Sequence, residues 1–178
     1  EYLHIDVNPE IYLLKLGYKD RSRIDDIAEI LEIDFHSYLS ESKIYMSSNE
    51  IKNLSKKGFR FGAHSMDHPL FADLSTEEQL KQFNKSVDYV VELFGKQNSW
   101  FSFPFTDDGV NMNFFNQINY SNVKATFGGA GIKNENINHH YQRIAMEKSG
   151  MNAEEIIKAE LFYYLLKMPF GKNTIHRK

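Results

Sequence analysis

Apolar and polar residues along this 178-residue chain follow two periods, and the changes of period mark out its elements. Ile24, Ile27, Ala28, Ile30 and Leu31 recur at helical spacing behind Ser22, a residue type that caps helix N-termini, so a helix is predicted over 22–32. A second is predicted over 47–57, with Ser47 or Ser48 as cap, Ile51 and Leu54 inward, and Gly58 as its stop. Ser75 followed three residues later by Glu78 has the form of a capping box. The helix it opens presents Leu80, Phe83, Val87, Val90, Val91 and Phe94 on one face before Gly95. A short helix over 113–118 follows. A last helix, opened by Asn152 and apolar almost all round, ends at Pro169 and Gly171.

Between the helices the period drops to two. Phe59, Phe61 and Ala63 alternate with Arg60 and Gly62, which predicts a strand over 59–63. Further strands are predicted over 100–105, 123–127 and 140–144. Strands separated by helices predict an α/β fold with a mostly parallel sheet and helical crossovers. Residues 1–20 read as a loop or short strand, then a short helix stopped at Gly17; residues 172–178 read as a frayed basic tail.

Composition narrows the class. The chain is 42% hydrophobic and 14% aromatic, which excludes disorder and fits one packed domain. A net charge of -3 supplies no basic excess for phosphates and argues against a nucleic-acid partner. With no cysteine there is no disulfide framework, thiolate site or Cys nucleophile, so a metal must use His, Asp or Glu. No run reaches the roughly 20 apolar residues that span a bilayer. Cytoplasmic and exported locations fit equally well. The first residue is Glu, and the expectation is a processed or truncated product.

The candidate chemistry lies after the strand at 59–63. His64 and His68 are four residues apart; closed into one helical turn, they fall on the same side and both imidazoles can reach a single ion, with Pro69 ending the turn. A zinc-type site needs at least three protein ligands, so the pair is a beginning. His4 and Asp6 are ligand-type residues without ligand spacing. His139 and His140 are neighbours on a strand and point to opposite faces, unable to share a metal. Thr106-Asp107-Asp108-Gly109 follows an aromatic strand and reads as turn-forming or substrate-facing.

Gly58-Phe59-Arg60-Phe61-Gly62-Ala63-His64-Ser65-Met66-Asp67-His68-Pro69 resembles the second motif of the polysaccharide deacetylase family, metal-dependent carbohydrate esterases that remove N- or O-acetyl groups from glycans. Phe101-Ser102-Phe103-Pro104-Phe105 resembles the family's third motif, with Ser102 where some members carry an Arg, and Gln142-Arg143-Ile144 resembles the segment after the last barrel strand. The resemblance covers about residues 45–145. It implies an incomplete irregular (β/α) barrel formed by one domain over 1–178, truncated at its N-terminus. It implies a divalent metal on His64 and His68, zinc foremost, with cobalt, nickel and manganese as alternatives, and a glycan substrate lined by Pro104, Phe105 and Arg143. The backbone N–H of Phe105 would face the oxyanion. The family's catalytic Asp pair, base and third ligand, is expected upstream of Glu1, because Asp107-Asp108-Gly109 follows the histidines instead of preceding them. Residues 1–178 alone are therefore expected to show little esterase activity, and an exposed sheet edge would allow self-association. Two other readings stand beside this one: a glycan-binding or structural domain that kept the fold without its chemistry, and a different metal hydrolase completed by Asp107 or Asp108.

Overall fold

A computed structural model describes residues 9–118, 120, 122–147 and 150–177; His4 and Asp6 lie outside them. The chain separates into two compact units, one up to Lys57 and one from Gly58 onward. The first is helical: α1 (Pro9–Leu13), α2 (Arg21–Ile30), α3 (Phe35–Ser42) and α4 (Ser48–Lys56). Ser47 caps α4, its hydroxyl accepting from the Glu50 N–H while the Glu50 carboxylate accepts from the Ser47 N–H. The sequence pattern assigned no helix to 35–42. Its start is set by Asp34, whose carboxylate accepts the N–H groups of His36 and Ser37, a cap the apolar spacing does not announce.

The second unit holds α5 (Thr76–Phe94), β1 (Trp100–Ser102), α6 (Met112–Gln117), β2 (Ala125–Gly128), β3 (His140–Gln142) and α7 (Ala153–Lys167). The three strands form one parallel sheet in the order β1-β2-β3. This is a mixed α/β architecture with a small parallel sheet. A helix, α6, crosses from β1 to β2, but the link from β2 to β3 contains none. The strand predicted over 59–63 is reduced to one parallel bridge between Ala63 and Phe101. Only the Ala63 N–H and carbonyl reach β1, donating to Trp100 and accepting from Ser102, so the ladder never extends.

Ser75 caps α5 with the reciprocal Glu78 bonds that the sequence predicts. Ser75→Ala should cost about 1 kcal/mol in a denaturant titration. The core is aromatic: Phe71, Phe83, Phe101, Phe103, Phe114 and Phe115 are buried and meet edge to face or tilted at 4.7–5.9 Å between centroids. On α7 only Ile156 is buried, while Leu161, Phe162, Leu165 and Leu166 are exposed.

The C-terminal segment is not frayed where it is described. Asn134 donates to the Asn173 carbonyl, Ile175 donates to the Asn134 carbonyl, and Arg177 turns into the protein. Basic composition predicted a solvated tail. The acidic groups awaiting Arg177 lie 42 and 70 positions away and leave no local trace.

Candidate functional site

Strand alternation divides the sheet's neighbourhood into two faces. Thr126 and Gly128 on β2 share a face with His140 and Gln142 on β3, and register places Thr126 beside His140 and Gly128 beside Gln142. The other face carries Trp100, Ser102 and Phe127, with Ser102 in register with Phe127. A cavity of about 330 Å³ lies against these three, lined also by His64 and Arg143.

His64 and His68 do converge, with their Nε2 atoms 3.1 Å apart. The backbone that brings them together is not the predicted helical turn. Ser65 and His68 both take left-handed conformations, at φ 69 and 55, which L-residues adopt at a cost. The Ser65 hydroxyl accepts from the His68 N–H at 3.0 Å, and the Gln82 side chain, on α5, accepts from the N–H groups of Met66 and Asp67. Gln82 also donates to the Asp67 carboxylate at 2.6 Å. Tertiary hydrogen bonds from α5 thus shape the loop, and nothing in the spacing of Gln82 marks it for that task.

His64 Nδ1 donates to the Ser102 carbonyl at 2.7 Å, which fixes the ring and leaves Nε2 as the ligand-type nitrogen. Burial pushes the His64 pKa down; the Ser102 carbonyl opposes that, and the nearby His68 and Arg143 charges reinforce it. The ring is therefore held toward its neutral form, the one that can ligate a metal. Two nitrogens on one tetrahedral ion at 2.0–2.1 Å would stand about 3.3 Å apart, close to the separation seen. Among the described residues, no third His, Asp or Glu is grouped with the pair.

Phe105 is 70% exposed, sits at φ 56, and sets its ring edge-on to His68 at 4.7 Å. Pro104 beside it is fully buried. Arg143 donates from Nε to the Gly128 carbonyl and from Nη2 to the Phe103 carbonyl, which holds its charge by the cavity. The Ser102 hydroxyl, buried in the same wall, has no hydrogen-bond partner among the described residues.

The opposite face holds a second polar cluster. Asp107, Glu135 and His140 bring three ligand-type atoms within 4.8 Å of one another, a set that suits a cation. Arg177 supplies one: its Nη2 donates to the Asp107 carboxylate and, at 2.6 Å, to Glu135 Oε2. His140 completes the network, with Nε2 3.0 Å from Asp107 Oδ2 and Nδ1 2.8 Å from the Thr126 hydroxyl. This Thr-His-Asp line resembles a nucleophilic triad, but Thr126 is fully buried and no substrate can reach its hydroxyl. Burial alone would raise the Asp107 carboxyl. Hydrogen bonds from His140, Gln142, the Gly129 N–H and Arg177 outweigh burial and hold it well below the usual carboxylate range.

Asp107 is therefore neither a substrate-facing group nor a partner of the histidine pair. It is 1% exposed and packs on the far face, beside Gly128, where a Cβ would stand only 2.4 Å from its carboxylate. Asp108 is exposed, and its N–H donates to the Thr106 hydroxyl in the turn that Gly109 closes at φ 81. His139 and His140 do part, but not by strand alternation: β3 begins at His140, which is buried, while His139 precedes it at φ 62 and is exposed near Tyr120. Glu135, Gln142 and Arg177 escaped the sequence reading as members of this cluster, because their partners are brought together only by the sheet and the returning C-terminal segment.

The polysaccharide deacetylase family model matches residues 19–125, more than half of the chain. The chain belongs to this family of carbohydrate deacetylases, generally metal-dependent hydrolases of glycans. No curated protein and no solved structure matches it. Among the described residues, no helix is long and apolar enough to cross a membrane.

Proposed function

We propose that the histidine pair is the metal-binding part of a glycan deacetylase whose sheet belongs to the family's irregular (β/α) barrel, within a single domain. The observation that carries this reading is the convergence of His64 and His68 Nε2 at 3.1 Å in a matched family member, with His64 oriented by the Ser102 carbonyl. A divalent ion held there, zinc by preference for two imidazoles and a carboxylate, would polarise an acetyl carbonyl and acidify water. The third ligand and the general base fall to an Asp pair outside the described residues.

This chain's own groups then have defined tasks. His64, held toward its neutral form, and His68 direct their Nε2 atoms at one point. The exposed Phe105 ring walls the approach beside His68, the fully buried Pro104 only backs that wall and does not reach a substrate, and the Phe105 N–H is the candidate donor to the developing oxyanion. Arg143 contributes a fixed positive charge at the cavity edge, next to Trp100 and Phe127, two rings able to pack against a sugar.

The test is acetate release from N- and O-acetylated oligosaccharides by the protein. Chelator-sensitive release that His68→Ala abolishes is expected. Full activity in that variant would remove the assignment. Unaltered glycan binding without acetate release in the wild type would favour a carbohydrate-binding domain.

A further inference from the structure

The Asp107-Glu135-His140 cluster and the histidine site lie against different faces of the sheet, but one short loop belongs to both. Residues 105–110 carry Phe105 at one end, against His68, and Asp107 and Val110 further along. The loop's own backbone makes one turn, from the Val110 N–H to the Asp107 carbonyl, and the Asp108 N–H donates to the Thr106 hydroxyl. The sheet holds it through the Asp107 carboxylate, bonded by His140, Gln142 and the Gly129 N–H. Arg177 adds bonds to that carboxylate and to two backbone carbonyls of the loop.

The guanidinium addresses the loop in three ways at once. Nη1 donates to the backbone carbonyls of Asp107 at 2.9 Å and Val110 at 3.1 Å, gripping the turn at both ends. Nη2 pairs with the Asp107 carboxylate. Nε and Nη2 anchor the same group to Glu135, at 3.2 and 2.6 Å, and its plane lies 4.5 Å from the centre of the Phe115 ring. The side chain is only 4% exposed, so these charge-assisted bonds are made out of water. A planar fork is required, since a single ammonium cannot meet two carbonyls and two carboxylates together.

We propose that Arg177 is a positioning residue for the histidine site: it locks the 105–110 loop from behind and so holds Phe105 against His68. The proposal rests on the deacetylase reading only for its catalytic consequence. The contact between Phe105 and His68 is a property of the folded chain with or without metal. Phe105 sits in a left-handed conformation that an unfastened loop would relax, withdrawing the ring and with it the wall beside the metal ligand.

The histidine ring protons report this directly, because an aromatic ring edge-on at 4.7 Å displaces their NMR signals. In Arg177→Ala the His68 signals should move to the positions found in Phe105→Ala, and cobalt(II) affinity, read from its visible absorption, should weaken about tenfold while the far-UV circular dichroism stays native. Arg177→Lys, which keeps the charge without the fork, should show the same displacement at smaller size. A folded Arg177→Ala protein with wild-type His68 signals overturns the proposal. If that variant does not fold, Arg177→Lys decides it by the same criterion, and collapse of both makes Arg177 a scaffold residue and equally overturns it. A wild type that binds no cobalt refutes the metal reading alone, because the His68 signals still decide the role of Arg177.

Discussion

Replacing His64 with alanine should bring bound divalent metal down to background, measured by metal analysis after dialysis. His64 is one of two converging imidazoles, and its ring is held in place by the Ser102 carbonyl, so no neighbouring nitrogen can take over. Outer-shell partners of metal ligands already account for about 10- to 100-fold in affinity, and a direct ligand should count for at least ~100-fold. Unchanged stoichiometry in His64→Ala would move the metal away from the histidine pair.

The second large effect lies on the other face of the sheet. Asp107→Ala should destabilise the fold by about 3–5 kcal/mol, because it leaves the Arg177 charge buried without one of its carboxylates. For a chain of this size that corresponds to a fall in melting temperature of roughly 6–20 °C. The sign of the pH dependence follows from the carboxyl's depressed pKa. The unfolded chain binds a proton at Asp107 near pH 3.9, and the folded one resists it to much lower pH. The stabilisation is therefore fully present above about pH 5 and drains away as pH falls through 4 and below. Asp107→Asn, which cannot titrate, should show a shallower loss of stability over that acid range. Equal slopes for the two proteins would mean that the carboxylate does not carry this energy.

Local signals are mostly legible in the sequence and distant ones are not, with one local exception: Ser22, expected as a cap, is the second residue of α2, whose N-cap is Asp20. The Ser75 and Asn152 caps, with Glu78 and Glu155 answering them, need only three residues of context, and both helices begin where those residues say. The histidine pair was visible because four-residue spacing is itself short-range. Its backbone is not the expected helical turn because Gln82, 14 residues beyond His68 on α5, bonds the Met66 and Asp67 N–H groups between the left-handed Ser65 and His68. The strand over 59–63 had the right alternation but found only one bridging partner. Asp107 reads as turn-forming or substrate-facing because its defining partners are distant in sequence: strand register brings His140, and the β2–β3 link and the returning C-terminal segment bring Glu135 and Arg177. Gly128 could have hinted at them: a glycine inside a strand often marks a close approach, here that of the Asp107 carboxylate.

The return of Arg177 to the sheet has a consequence for how the molecule is made. Asp107 leaves the ribosome 70 positions before the cation that neutralises it, an interval of about 4–14 s at ~5–20 residues per second. Through that interval the aromatic core and β1 can already assemble, but the carboxylate beside Gly128 has no guanidinium to meet and stays hydrated. The 105–110 loop thus gains its Arg177 bonds only after α7 has been synthesised, once the strands and core residues around it have already left the ribosome.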